Sequence, residues 1–159
     1  MQFRPGQIDG VEITPLARYT DERGWLAELY RSDEVNGDTA PAMGYVSVTK
    51  PGVSRGPHEH HDQSDRFCFA GPGTFELRMW DNRPNSGTHL HSQTILVGEA
   101  YPAVVVIPPG VVHGYRNIGD GEAIAINLPN RLYAGEGRKE KVDEIRHESH
   151  GGSPFRMQE

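Results

Sequence analysis

Cysteine is almost absent from this chain. Cys68 is the only one among 159 residues, so no disulfide can form within the chain. A free thiol suits a reducing compartment, and a cytoplasmic location is expected. Long apolar runs are missing too: the longest, Ala103 to Ile107, is far short of the roughly 20 residues that cross a bilayer. The N-terminus carries Arg4 and Pro5 and has no apolar core of the kind a secretory leader needs. Basic residues are in deficit, with 16 Lys and Arg against 22 Asp and Glu and a net charge of −6. That balance excludes a broad basic face for nucleic acid or membrane, leaving only a local Arg cluster for an anionic small molecule. Helical periodicity is absent before residue 136. What remains is 19 Gly and 12 Pro spread between short apolar runs, which predicts many short strands and turns in an all-β fold. The length is one domain's worth, and residues 1–159 are expected to form a single domain.

The densest chemistry lies between Gly52 and Asp65, in the run Arg55-Gly56-Pro57-His58-Glu59-His60-His61-Asp62-Gln63-Ser64-Asp65. On a strand, His58 and His60 point to one face and Glu59 to the other. Arg55, set among small and turn-forming residues, is placed to hold an anion beside them. Taken alone, the same residues would also suit a polar hairpin whose histidines face water. A distant segment changes the balance: Ile107-Pro108-Pro109-Gly110-Val111-Val112-His113-Gly114-Tyr115-Arg116-Asn117. Its Pro109-Gly110 pair fits the centre of a type II turn, with Gly at the position of positive φ.

Together the two segments resemble the paired motifs of the cupin superfamily. Gly52, His58, His60 and Asp65 match the first motif, with Asp where Glu is usual; Pro108, Gly110, His113 and Asn117 match the second, whose usual upstream Gly is displaced to Gly98. The resemblance implies a double-stranded β-helix, a jelly-roll cupin barrel, with the histidines converging in its lumen. Three neutral imidazoles and a carboxylate suit one divalent transition metal, Fe, Mn, Ni or Zn, so His58, His60, Asp65 and His113 are a candidate ligand set.

Elsewhere the pattern is that of strands and turns. Residues 10 to 35 read as strand, turn, strand, with the turn at Thr20 to Gly24 and the second strand over Trp25 to Arg31. Phe75, Leu77 and Met79 alternate with Glu76 and Arg78 as in a half-buried strand. Thr94 to Val97, Ala103 to Ile107 and Ala123 to Leu128 supply further strands, and Asp81 to Gly87 a polar loop. Cys68, between two phenylalanines, reads as a small buried side chain, and His89 and His91 as solvent-exposed loop residues. The charged stretch from Arg138 to Glu148 reads as a solvated helix or an edge segment.

A closer resemblance runs from about residue 10 to 133. Asp21-x-Arg23-Gly24-x-Leu26-x-Glu28 with Arg31, Arg55-Gly56-x-His58, Trp80-Asp81-x-Arg83, and Ile107-Pro108-x-Gly110-x-x-His113-Gly114-Tyr115 are similar in order and spacing to the dTDP-4-dehydrorhamnose 3,5-epimerase family. That resemblance implies a cofactor-free epimerase of deoxysugar and polysaccharide biosynthesis, acting on a dTDP- or other NDP-linked keto sugar, with His58 as base and His60 and Asp65 beside it. It implies that Arg23, Glu28, Arg55 and His113 hold the substrate, and that the chain is a homodimer exchanging N-terminal strands. The family's Lys is replaced by Arg66. Its Tyr falls near Asn127, with Tyr133 close enough in sequence to substitute, and Met43 and Tyr45 stand where the family has Gln and Asn. Arg55-Gly56-Pro57-His58-Glu59-His60 with Gln63 is also similar to the nucleotide-sugar 3,4-ketoisomerases. Two other classes remain open at this point: a metal-dependent cupin oxygenase or isomerase, and a binding barrel without catalysis.

Overall fold

The computed structural model describes residues 1–35 and 37–157. In chain order its strands are β1 (Arg4–Pro5), β2 (Glu12–Pro15), β3 (Tyr19–Asp21), β4 (Gly24–Leu26), β5 (Tyr45–Thr49), β6 (Ser54–Glu59), β7 (Asp65–Phe69), β8 (Thr74–Asp81), β9 (His91–Gly98), β10 (Ala103–Ile107), β11 (Val111–Asn117), β12 (Ala123–Asn127) and β13 (Ile145–Arg146). Short 3-10 turns are the only helical elements among the described residues, and none is long and apolar enough to cross a membrane. Six strands form one sheet in the order β1-β9-β8-β11-β6-β13, and five form a second in the order β2-β10-β7-β12-β5. Strands adjacent in space but distant in sequence are what a jelly roll requires, and the cupin barrel expected from the motifs is the fold observed.

The inner faces follow from side-chain parity. On β8, Phe75, Leu77 and Met79 are fully buried, while Glu76 and Arg78 pair with each other on the outer face. Phe67 and Phe69 from β7, Val105 and Ile107 from β10, and Val111 and Tyr115 from β11 join them in one core. Burying each of these large side chains contributes roughly 1.5–3 kcal/mol. Tyr115 meets Phe67, Phe69 and Phe75 edge-on, at centroid separations of 5.5, 5.7 and 5.0 Å. Two-residue steps along each strand then separate the filled end of the barrel from the polar end. β7 runs inward from Asp65 to Phe67 to Phe69, and its neighbour β12 in the same sheet runs from Asn127 to Ala125 to Ala123. Asp65 and Asn127 therefore sit together at one end.

Three expectations need correcting. The strand from Trp25 to Arg31 stops at Leu26, because β3 and β4 form a separate two-stranded hairpin whose Tyr19, Trp25 and Leu26 stay exposed. Of the apolar residues before it, Ile13 lies in β2, an edge strand that pairs with β10 and not with the hairpin. His89 and His91 are half-buried, since β1 pairs in parallel with β9 and brings the Gln7 carbonyl within 2.9 Å of His91 Nδ1. Of the two readings for the charged C-terminal stretch, the edge segment is observed. β13 pairs with β6, and beyond it Phe155 and Met157 pack on Trp80, Val112 and Phe3.

Candidate active site

β6 and β11 lie antiparallel with His113 opposite His58, a close approach that only glycine permits at Gly56. There φ is +80°, and an added Cβ would stand 2.7 Å from the His113 carbonyl oxygen. Gly110 (φ +75°) completes the turn before β11, in which the Val111 N–H reaches the Pro108 carbonyl at 3.3 Å, as the Pro109-Gly110 pair foretold. The result is a cluster at the polar end of the barrel. The His58 ring lies 4.6 Å from His113 and 5.5 Å from His60, centroid to centroid. Asp65 Oδ2 lies 3.0 Å from both His60 Nε2 and His113 Nε2. The other oxygen, Oδ1, accepts from Gln63 Nε2 at 2.9 Å and Asn127 Nδ2 at 2.8 Å.

The protonation pattern is dictated by the backbone. His113 Nδ1 faces the Val111 carbonyl at 3.0 Å and His60 Nδ1 faces the Asp143 carbonyl, so both Nδ1 atoms carry hydrogen and both Nε2 atoms turn to Asp65. Asp65 Oδ2 and His113 Nε2 are close but not aligned as a hydrogen bond, which leaves each a buried polar atom without a hydrogen-bond partner. For His60, burial opposes a positive charge, but Asp65 outweighs it and raises the imidazole's pKa to about 9. Burial likewise opposes ionisation of Asp65, yet His113 and His60 hold its carboxyl well below the usual range. His58 is the opposite case. Burial, reinforced by the neighbouring His113, pushes its pKa down to about 2, so it stands neutral with a lone pair to offer.

Beside the cluster opens a cavity of about 670 Å³. His58 and His60 form one wall, Tyr45 comes from β5 of the facing sheet and Met43 from the segment before it, and residues 129–136, 140–144 and 146 close the sides. The segment 140–146 is a strap held by Asp143, whose carboxylate accepts the backbone N–H groups of His61, Asp62 and Gln63 at 2.7, 2.8 and 2.9 Å. The strap brings Glu144 Oε1 to 3.9 Å from His58 Nδ1. Glu59, on the opposite face of β6, receives Asn82 Nδ2 at 2.9 Å and contacts His147 Nε2 at 2.8 Å, fixing the strand from behind.

Residues 19–140 match the polysaccharide biosynthesis C-terminal domain family. This chain belongs to that family. It is 37% identical over 127 residues, 79% of this chain and 81% of the relative, to the probable low-salt glycan biosynthesis epimerase Agl13 of Haloferax volcanii. It is 34% identical over 128 residues, covering 79% and 82%, to the spore coat polysaccharide biosynthesis protein SpsL of Bacillus subtilis. Among solved structures it resembles the dTDP sugar isomerase of Desulfovibrio desulfuricans G20, with a TM-score of 0.81 at 19% identity over 94% of this chain and 91% of the other. The dTDP-4-dehydrorhamnose 3,5-epimerase of Sulfolobus tokodaii gives 0.72 at 20% over 92% and 82%. At those identities the likeness establishes the fold alone, a cupin barrel.

Of the residues singled out in the sequence, His58, His60, Asp65 and His113 come together. Tyr133 reaches the cavity from a loop, half-exposed. Arg66 does not reach it. Strand parity turns it away from its neighbour Asp65 to the outer face of the second sheet, beside Leu16 and Val104. Arg55 is also outside the cavity lining, because its guanidinium donates to Thr49 Oγ1 at 2.9 Å and to the Val48 carbonyl at 2.8 Å. Arg23 pairs with Asp21 in the exposed hairpin, and Glu28 lies 3.6 Å from Arg31; within one chain neither lines the cavity. Tyr45, Asp143 and Glu144 were not among the expected site residues. Asp143 and Glu144 sit in a charged run that gives no sign of contact, whereas Tyr45 had a signal in the alternation of Tyr45, Ser47 and Thr49 with Val46 and Val48.

Proposed function

We propose that this protein is a nucleotide-sugar epimerase or isomerase of polysaccharide biosynthesis, which removes the proton next to the ketone of an NDP-linked 4-keto-6-deoxyhexose. The observation that carries this reading is geometric: His58 stands on the cavity wall with the His60 ring 5.5 Å away, and Asp65 Oδ2 lies 3.0 Å from His60 Nε2, where it favours a positive charge on that ring while burial favours a neutral His58. The two relatives carry epimerase and polysaccharide-biosynthesis names, which supports the same reaction class here. His58 takes the α-proton; the C–H pair moves into the enolate and its negative charge is held by the field of His60. Glu144 sits where the resulting imidazolium needs a partner. A cytoplasmic setting agrees with the free, buried Cys68. As a homodimer, the chain would cover the exposed Tyr19, Trp25 and Leu26 of its hairpin and could carry Arg23 and Glu28 to a neighbouring cavity.

A second reading is favoured by one observation, the orphaned Asp65 Oδ2 and His113 Nε2. Ligand atoms of His58, His60, Asp65 and His113 lie within 4.8 Å of one another, with two rings fixed by their Nδ1 contacts, so the donor set fits a divalent transition metal. Bound there, such an ion would polarise the substrate carbonyl as a Lewis acid. In that case Asn127 and Gln63 orient the Asp65 carboxylate, and the backbone carbonyls of Val111 and Asp143 set the imidazole tautomers. The test is deuterium incorporation from D2O into dTDP-4-keto-6-deoxyglucose, with metal analysis of protein purified without chelator. His58→Asn should lower exchange by at least about 100-fold, the usual worth of a positioned base. Full exchange in that variant would refute His58 as the base. Activity that survives chelation with no bound metal would rule out the second reading.

A further inference from the structure

We infer that Tyr45, and not Tyr133, delivers the proton to the face of the substrate carbon opposite His58. This rests on the epimerase reading above and names the residue that completes it. His58 belongs to the six-stranded sheet and Tyr45 to the edge strand of the five-stranded sheet, and both line the same cavity. A carbon held between the sheets would meet the imidazole on one side and the phenol on the other.

The phenol is oriented by a chain of fixed bonds. Asn127 lies opposite Tyr45 in the β5–β12 register. Its Oδ1 accepts the Arg66 backbone N–H at 3.1 Å, which settles which end of the amide is nitrogen. Nδ2 must then donate, and it does so twice: to Asp65 Oδ1 at 2.8 Å and to the Tyr45 hydroxyl at 2.9 Å. Since the phenol oxygen accepts from Asn127, its own hydrogen is directed elsewhere, and the cavity is the open side. Burial first of all raises the phenol's pKa to about 12, so the group stays protonated at neutral pH and is still far more acidic than a ketone's α-carbon. Tyr133 is about as exposed as Tyr45 but lies on a loop, and its contact in the site is a backbone N–H to Met43 Sδ, not a bond to its hydroxyl. Asn127 occupies the position near which the resembled family has its tyrosine, and here it serves Tyr45 as a positioning residue.

The step balances without any further reagent. His58 accepts the α-proton, the C–H electron pair forms the enolate, and the enolate carbon takes the hydroxyl proton of Tyr45 from the other face as the C=O bond re-forms. The phenolate then regains a proton from water and the imidazolium releases one, leaving the enzyme unchanged.

The test compares Tyr45→Phe with Tyr133→Phe and wild type, using dTDP-4-keto-6-deoxyglucose in D2O and reading deuterium exchange and the inverted product separately. Tyr45 lies on an edge strand with its ring 45% exposed, and Phe keeps that ring; a melting temperature verifies the fold. The expected result is exchange within about threefold of wild type and inverted product down by at least about 100-fold in Tyr45→Phe, with Tyr133→Phe near wild type. Undiminished inversion in Tyr45→Phe would overturn the assignment while leaving the epimerase reading intact. Equal loss of exchange and inversion in a folded Tyr45→Phe would also overturn it, since the phenol would then be stabilising the enolate. A wild-type protein that exchanges no deuterium would bring down the epimerase reading and the Tyr45 assignment together.

Discussion

Asp143→Ala isolates what the C-terminal strap contributes. The Asp143 carboxylate accepts three backbone N–H groups of the turn between β6 and β7, two at Oδ2 and one at Oδ1. Those bonds tie the strap to the turn that carries Gln63 and leads into Asp65. His61 and Asp62 are exposed, so water can replace part of what is lost. A net cost near 0.7 kcal/mol per bond, toward the low end for an ordinary hydrogen bond because water replaces part of each, gives about 2 kcal/mol in total. At roughly 2–4 °C per kcal/mol for a domain of this size, the melting temperature should fall by about 4–8 °C. Asp143→Asn should lose about half as much, because an amide oxygen placed at Oδ2 can still accept two of the three N–H groups. Catalysis should suffer as well. The backbone contact from the Asp143 carbonyl to His60 survives the mutation, but the adjacent Glu144 is no longer held near His58. Thermal melts with hydrogen exchange at residues 61–63 provide the assay. A melting temperature within 1 °C of wild type, with those amides still protected, would refute the claim that the carboxylate anchors the strap.

Two further outcomes are expected. Asp81 is fully buried; burial disfavours its ionised form, but hydrogen bonds from Arg83, Ser86 and Thr88 outweigh this and hold its carboxyl well below the usual range. A depressed folded-state pKa means stability that is present above about pH 4 and lost as the pH falls toward the folded value. Wild type should therefore lose stability between pH 4 and 2 faster than Asp81→Asn, as read from urea midpoints, and parallel pH profiles would contradict this. For the assembly, sedimentation should give two chains per particle, and Arg23→Ala should weaken dTDP binding without moving the melting temperature; a strictly monomeric particle would remove Arg23 from the site.

Much of this was legible in the sequence, for identifiable reasons. The two-residue parity of His58 and His60, the turn at Pro109-Gly110 and the alternation over Phe75 to Met79 are local rules, and each survives in the structure. The hairpin misled the reading of residues 10 to 35 because apolar residues such as Trp25 and Leu26 ordinarily signal a strand packed on the core, whereas here they stay exposed. Asp143 could not be found by periodicity, since its role is to accept backbone N–H groups from a turn 80 or more residues away. Tyr45 depended on a cross-strand partner, and the register that pairs it with Asn127 is not written in either strand alone.

The same parity explains why Arg66 cannot take the place of the Lys of the resembled epimerases. Asp65 and Arg66 are consecutive on β7, so only one of them can face the lumen, and the buried run of Asp65, Phe67 and Phe69 decides which. A lumen-facing Arg66 would need a one-residue register shift that drives Phe67 and Phe69 out of the core, at a cost of several kcal/mol. Under the proposed mechanism, the positive charge next to His58 has to come from another strand. His60 supplies it, because Asp65, excluded from the outer face by the same rule, sits 3.0 Å from its Nε2 and outweighs the burial that would otherwise neutralise the ring. The carboxylate that displaces one cation from the site is thus what creates the other. His58, two residues away on the same face and without that carboxylate against it, is left neutral.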